Sequence, residues 1–231
     1  MNETNGKLRM AKSEQTKAKI IDVFLELTNE KKWDKISVKE LCAAMGITRG
    51  TFYQYYNDIY DLMEQIEDAL IADLNHRYQL LPLKSPSGLF PPELFDSKYD
   101  YSPPQELFVW FDFCQNHQKA VSSLLDSKNG DAYFVKKLKV ILDQHINHIM
   151  DYDGMPRDGL REHFTKIFIE LHFMAARTWL ESKEEDFLSI REIINLLNTM
   201  RVGAGFLSNK QMTSPEFEKK MKFPADREVM Q

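Results

Sequence analysis

The sequence has few of the residues and patterns that several other classes of protein need. Its 231 residues include only two cysteines, Cys42 and Cys114, in separate segments, so neither a disulfide framework nor a zinc site is predicted. No apolar run approaches the roughly eighteen residues of a membrane span. The N-terminal residues MNETNGKLRM also lack the apolar stretch of a signal peptide. We therefore expect a cytoplasmic protein with no membrane segment.

Signatures of catalysis and of cofactor binding are missing as well. The sequence contains no GxGxxG, GxxxxGK[ST], HExxH or GxSxG pattern. His145 and His148 are three residues apart with Asp143 and Asp151 nearby. The apolar stripe of their helix includes His145 but not His148, which favours one core and one surface histidine over a metal pair. We expect no enzymatic activity, no cofactor and no metal site.

Strand patterns are nearly absent, whereas apolar residues recur every three or four positions, so the predicted fold class is all-α. The spacing predicts helices over 13–32, with Ser13 as N-cap, 37–46, 48–56, 57–81, 105–125, 131–151, 158–182 and 187–207. Six prolines between Pro82 and Pro104 exclude a continuous helix there. The predicted inner stripes include Ile167 and Met200, and the segment VGAGF around Gly203 is interpreted as a helix end.

Residues 37–56 carry the pattern of a helix-turn-helix. Ser37 stands three residues before Glu40, as in a capping box, and Gly46 is the residue type that ends a helix in the left-handed conformation. Apolar residues on both sides of the turn can lock two helices at a steep angle. They are Leu41, Met45, Ile47, Phe52 and Tyr56. An ordinary helical hairpin could share single features, but their joint occurrence favours DNA binding.

The second helix of this pair begins with side chains suited to DNA. Its N-terminal residues are Thr48, Arg49, Gly50 and Thr51. A recognition helix enters a major groove about 12 Å wide, where such residues reach base edges. Arg49 can donate two hydrogen bonds to a guanine, Thr51 can offer its hydroxyl or methyl group, and Gly50 lets the backbone approach closely. The phenols of Tyr53 and Tyr55 can donate to phosphates.

The stretch WDKISVKELCAAMGITRGTFYQYYNDIYDL resembles the DNA-binding domain of the TetR/AcrR family of regulators, and the resemblance covers about residues 13–63. It implies DNA contacts by Ser37, Lys39, Thr48, Arg49, Thr51, Tyr53 and Tyr55. Residues 113–142 are loosely similar to the ligand-domain pattern of one branch of the family. Where the family usually has a lysine just inside the fourth helix, this chain has Ile59, so we expect weaker phosphate binding or a substitute such as Lys17 or Lys12.

These patterns predict a three-helix helix-turn-helix domain over residues 1–60, joined by a long helix to a ligand-binding and dimerisation domain over 61–207. A polar tail over 208–231 follows. Residues 1–60 have ten basic against eight acidic side chains, and the rest have twenty against twenty-seven, which is consistent with a DNA-binding N-terminus. The resemblance implies that the two C-terminal helices form a dimeric four-helix bundle. A two-fold homodimer would read a palindromic operator in double-stranded DNA.

Aromatic residues and histidines of the larger domain either form its core or line a pocket for a small-molecule effector, whose identity the sequence leaves open. The candidates are Trp110, Phe111, Phe134, His145, Phe168 and His172. The leading hypothesis is a repressor released from DNA when the effector re-spaces the recognition helices. The alternative, motivated by Ile59 and the acidic body, is a helical module that recruits a protein partner, with DNA contact secondary.

Overall fold

The computed structural model describes residues 2–82, 100–182, 188–214 and 216. Across these ranges the chain is helical and contains no strand, which confirms the all-α prediction. The α-helices are α1 Asn2–Thr28, α2 Val38–Met45, α3 Arg49–Phe52, α4 Ile59–Gln79, α5 Gln105–Asn116, α6 Gln118–Leu125, α7 Ala132–Tyr152, α8 Gly159–Leu180 and α9 Ile190–Thr213. No helix in the described part is long and apolar enough to cross a membrane. Most of the predicted proline-rich loop, and the tail from residue 217, lie outside the described residues.

The first helix differs from its prediction at both ends. It begins at Asn2, so Ser13 is inside the helix and is not its N-cap, and it ends at Thr28 instead of continuing to Lys32. The buried Thr28 hydroxyl donates to the carbonyl of Leu25 at 2.7 Å and is hydrogen-bonded to the Ser123 hydroxyl of α6. The chain turns directly after this contact, which no local pattern reveals.

The helix predicted over 105–125 is two helices. The break lies at His117, whose backbone has φ −114° and ψ 28°. Its Nε2 atom lies 2.9 Å from Oδ2 of Asp73 in α4. Apolar residues before and after His117 are buried in one core, so the hydrophobic pattern continues across the break and hides it from the sequence.

Two further predictions about the last helices are wrong. Gly203 lies inside α9, which continues to Thr213, so VGAGF does not end a helix. Ile167 and Met200 were predicted to face the core, but their side chains are 61% and 41% exposed. The buried face of α8 keeps the predicted Phe168 and has His172 in place of Ile167, because a helix of this length can be rotated slightly without losing its apolar stripe.

The helices α1–α3 form a head that packs on a body formed by α4–α9. α1 packs on α2 and α6, while α4 packs on α5 and α7. Polar contacts tie the two parts together: Trp33 Nε1 donates to Asp131 Oδ2 at 2.9 Å, and Lys119 is bound to Asp22 and Glu26. The head is therefore held at a defined position against the N-terminus of α7 and the start of α6.

Candidate DNA-binding surface

The start of α2 is fixed by its cap. Ser37 has extended backbone geometry, and its Oγ accepts a hydrogen bond from the backbone N of Glu40 at 3.2 Å. The Glu40 carboxylate is bound by Lys31 Nζ at 2.6 Å, which lowers the pKa of Glu40. The hydroxyl hydrogen of Ser37 is not used in the cap, because the oxygen is the acceptor there. Ser37 and Lys39 are both exposed.

The turn between α2 and α3 depends on Gly46. Its φ of +68° lies in the left-handed region, which strains any residue with a Cβ atom. The N–H of Gly46 donates to the carbonyl of Ala43, and the N–H of Ile47 donates to that of Cys42 at 3.0 Å. These bonds close the C-terminus of α2, as the sequence predicted.

An apolar lock holds the crossing of the two helices. Leu41 and Phe52 are fully buried, Tyr56 is 3% exposed and Met45 is 8% exposed. Burial raises the pKa of Tyr56 to about 12, so its phenol stays neutral. The prediction that Tyr56 belongs to the core is confirmed. The lock fixes the angle at which α3 is presented.

The first turn of α3 is organised by two threonines. Thr48 is the N-cap: its Oγ1 accepts from the backbone N of Thr51 at 3.1 Å and lies 3.0 Å from Thr51 Oγ1. The Thr51 side chain is half-buried. The α-helix ends at Phe52 and not at the predicted Tyr56, because the chain continues in hydrogen-bonded turns that carry Tyr56 into the core.

The remaining predicted contacts are on the surface of α3 and the turn after it. Arg49 is exposed, and its guanidinium makes no ion pair or hydrogen bond with any described residue. Gly50 is exposed, and a Cβ added there would meet only Thr48 Oγ1 at 3.6 Å, so the fold does not require a glycine. Tyr53 is 55% exposed, whereas Tyr55 is half-buried against the core.

The start of α4 departs further from the family pattern than the sequence alone indicated. Ile59 is 6% exposed and belongs to the hydrophobic core. The neighbouring carboxylates are already engaged: Asp58 caps α4, and Asp61 accepts from the backbone N of Asn57 at 2.7 Å, which lowers the pKa of Asp61. Because Ile59 is buried at this position, the start of α4 has no lysine there that could bind a phosphate. Of the two proposed substitutes, Lys12 is exposed, while Lys17 lies 3.5 Å from Glu14.

The predicted effector-pocket residues form a closed core. Five of them are at most 2% exposed: Trp110, Phe111, Phe134, Phe168 and His172. The rings pack closely, with centroid separations of 5.4 Å between Trp110 and Phe173 and 4.7 Å between Phe168 and His172. Trp110 Nε1 is buried and has no acceptor among the described residues. Burial lowers the pKa of His172 to about 4.

The sixth residue, His145, is half-buried and stacks on Tyr78 with ring centroids 3.6 Å apart. Burial lowers the pKa of His145 to about 4, and the neighbouring His148 lowers it further. No three potential metal ligands among the described residues converge to form a site.

The head is oriented by contacts that no sequence pattern predicted. Trp33 stacks edge-on against Tyr60, with ring centroids 5.3 Å apart, and donates to Asp131. Asp131 also caps α7 by accepting from the backbone N of Phe134 at 3.0 Å. The sequence signal for this contact was a tryptophan between two predicted helices. It could not identify Asp131 as the acceptor, because Asp131 is 98 residues away in the sequence.

Apolar side chains also project from α8 and α9. On α8 they recur every seven residues, at Leu160, Ile167 and Met174, each more than half exposed. On α9 they include Leu196, Met200 and Leu207. A Cβ added to Gly203 would meet nothing within 4 Å, so the glycine leaves room beside this row. We call these residues the α8–α9 face.

Similar folds occur among solved structures of TetR-family transcriptional regulators. One from Streptomyces coelicolor is 19% identical, with a TM-score of 0.53 over 86% of this chain and 83% of the other. One from Streptococcus agalactiae 2603V is 15% identical, with a TM-score of 0.55 over 84% and 98%. A third, from Syntrophomonas wolfei, is 12% identical, with a TM-score of 0.57 over 84% and 96%. No family model and no curated protein matches the chain.

Proposed function

We propose that this chain, which has the fold of TetR-family transcriptional regulators, is a repressor that binds operator DNA in the cytoplasm and is released by a small-molecule effector. The observation that carries the proposal is the state of Arg49. It is an exposed cation without an internal partner among the described residues, at the N-terminus of the second helix of a helix-turn-helix. Such a group is available to a base edge.

Arg49 and Thr51 are the proposed base readers. Arg49 can donate two parallel hydrogen bonds to O6 and N7 of a guanine. The bond of Thr51 to Thr48 leaves the Thr51 methyl group to contact a thymine, while the exposed Thr48 lies at the edge of the groove. Gly50, which the fold does not require, lets the backbone of α3 come close to the bases.

Ser37, Lys39, Tyr53 and Tyr55 are the proposed phosphate contacts. Ser37 can donate its hydroxyl hydrogen while its oxygen caps α2. Lys39 and Tyr53 are exposed, and the more buried Tyr55 is the weakest of the four. Lys12, which forms no ion pair among the described residues, is the better candidate to replace the lysine absent at Ile59.

Dimerisation through the α8–α9 face completes the proposal. Leu160, Ile167 and Met174 would bury apolar surface against the partner's copy of the same face, as a two-fold interface requires. Gly203 would let the two copies of α9 approach closely. Such a dimer presents two α3 helices to half-sites about 34–36 Å apart, or a multiple of that distance, in a palindromic operator.

The effector would enter the body around Trp110, whose Nε1 has no acceptor in the described part of the chain and can donate to an acceptor on the ligand. Because the surrounding rings are packed together, a ligand must move them, and it then favours a body conformation different from this one. Displacement of α4 would change the spacing of the recognition helices.

A mobility-shift titration on fragments upstream of the protein's own gene tests DNA binding. We expect a sequence-specific shift that weakens with salt, and Arg49→Ala should cost about 1–3 kcal/mol on the specific site. Lys39→Ala is the matched control: it should weaken binding to specific and random DNA alike and reduce the salt slope by about one.

The proposal fails if no native fragment gives a specific shift. An equal loss on specific and random DNA in Arg49→Ala would refute base reading by Arg49. The alternative, a module that recruits a protein partner, predicts that Arg49→Ala leaves the regulatory activity in cells unchanged.

A further inference from the structure

A cleft opens between α1, α4 and the junction of α5 with α6. Its volume is about 810 Å³, which is within the range of roughly 300–1,000 Å³ for small-molecule sites. Because α1 packs on α2 and α6 while α4 packs on α5 and α7, the two helices leave space between them. The cleft is therefore lined by the head on one side and by the body on the other.

The inner wall of the cleft is apolar. Leu25 of α1, together with Ile66 and Leu70 of α4, contributes to this wall. Ala18 of α1 and Ala69 of α4 line the same cleft and have short side chains, so they leave its entrance wide. An apolar group placed against this wall loses contact with water on the side that faces it.

The rim carries carboxamide groups without partners. Gln115, Gln118 and Asn29 line the cleft, and within the described ranges their side chains form no hydrogen bond. Each carboxamide has two donor hydrogens and an acceptor oxygen. A ligand group that both donates and accepts, such as an amide, matches them.

The ionisable residues that line the cleft are already paired with other side chains. Lys119 is bound to Asp22 and Glu26, and His117 Nε2 lies 2.9 Å from Asp73 Oδ2. An anionic ligand would have to displace carboxylates from Lys119, and a cationic ligand would meet its ammonium group. Because no ionisable side chain of the cleft is left without a partner, the cleft offers no unpaired charge to attract an ion, and we take the ligand to be uncharged.

We propose that this cleft binds a small, neutral, amphipathic molecule with an apolar end and an amide-like end. The apolar end contacts Leu25, Ile66 and Leu70, and the polar end exchanges hydrogen bonds with Gln115 and Gln118. The site is separate from the body core, and it does not depend on the proposed DNA binding. A molecule bound here contacts head and body at once and so restrains their relative position.

Acetanilide, a phenyl ring joined to a neutral amide, is a suitable probe. Titrated into the full-length, ¹⁵N-labelled protein without DNA, it should cause saturable shifts of the Gln115 and Gln118 side-chain signals. We expect a dissociation constant of about 1 mM for a ligand of this size. Ala69→Phe, which places a ring in the entrance, should weaken binding about tenfold or more. Ala132→Phe adds the same ring at an exposed position on α7 and should leave binding unchanged.

Gln118→Leu, which keeps side-chain size at the exposed rim, should also weaken binding several-fold by removing hydrogen bonds. The absence of saturable shifts in the wild-type protein would overturn the proposal. Equal affinities of the wild type and both cleft variants would overturn it too, because the probe would then bind elsewhere. DNA affinity is measured separately, so either result leaves the repressor proposal intact.

Discussion

The head and the body hold their candidate functional side chains in opposite states. On the head, Arg49 and Lys39 are exposed and make no ion pair with any described residue. In the body, Trp110, Phe168 and His172 are buried, and their rings contact other rings. The first arrangement leaves its binding groups open to an outside partner, whereas the second uses them to stabilise the fold.

This difference bears on how the two parts would respond to each other. In the proposed function, the head would bind DNA without internal rearrangement, because its lock and caps already set the orientation of α3. The body would have to open before the proposed effector reached Trp110, whose Nε1 has no acceptor among the described residues; a buried donor without a partner costs about 1–3 kcal/mol of stability. A ligand that satisfies this donor therefore recovers part of the free energy needed to open the core.

The largest expected effect comes from placing a charge on the α8–α9 face. Ile167→Lys should convert a dimer into monomers, because it removes an apolar contact worth about 1.5–3 kcal/mol from each subunit and buries a charge. Sedimentation equilibrium measures the change. Val140→Lys, at a 56% exposed position on α7, is the control and should remain dimeric. A wild-type protein that is monomeric at all concentrations would contradict this prediction.

Removing a buried side chain from the apolar lock of the head should have the next largest effect, on both stability and DNA binding. Phe52→Ala leaves a cavity beneath α3 and should lower the free energy of unfolding by about 3–5 kcal/mol, with loss of DNA binding. Chemical denaturation measures the effect. Tyr53→Ala, the exposed neighbour, should keep its stability and lose only DNA affinity. A comparable loss of stability in both variants would show that the lock is not centred on Phe52.

The buried histidine of the body makes its stability depend on pH. The pKa of His172 is about 4 in the fold and roughly 6.5 when unfolded. Between these values the unfolded chain binds more protons, so stability is full above pH 6.5 and falls by up to about 3 kcal/mol toward pH 4. Urea denaturation at several pH values measures this slope. His172→Leu should reduce the slope and leave the part contributed by the half-buried His145, whereas His163→Leu, on the exposed side of α8, should leave the slope unchanged.

The smallest expected change in stability is at Gly50, where a substitution tests whether the glycine serves DNA binding and not the fold. Gly50→Ala should leave the head as stable or stabilise it by about 0.4–1 kcal/mol, because the added Cβ has space. It should nevertheless weaken DNA binding by blocking close approach to the bases. Gly159→Ala, where a Cβ also has space, is the control and should bind DNA normally. Unchanged affinity in Gly50→Ala would refute close backbone approach.

The helix-turn-helix of the head was predictable in detail because its signals are local. Ser37, Gly46 and Thr48 act through bonds to residues within four positions, and the lock residues lie within sixteen positions of one another. Even here the predicted α3 was too long, because the apolar spacing from Phe52 to Tyr56 is that of a helix although the chain forms turns there. Tyr56 is buried by tertiary packing, which ends the helix earlier than its spacing suggests.

Predictions for the body, and for the end of α1 where the head contacts the body, were less complete because these contacts are distant in sequence. The break at His117 depends on Asp73, and the end of α1 depends on Ser123. The rotation of α8, which exposes Ile167, depends on several neighbours at once. The sequence identified aromatic residues that are buried in the body. Whether their side chains line a pocket or fill the core is decided by tertiary packing.

By itself the sequence determined the all-α class, the helix-turn-helix and the side chains at the start of α3, because caps, turn glycines and apolar periodicity act over a few residues. Only the tertiary structure decided that Ile59 is core, that Trp33 joins head to body, and that a cleft remains between α1 and α4. Those features arise from contacts between segments that are far apart in the sequence, and the short-range spacing of residues cannot predict such contacts.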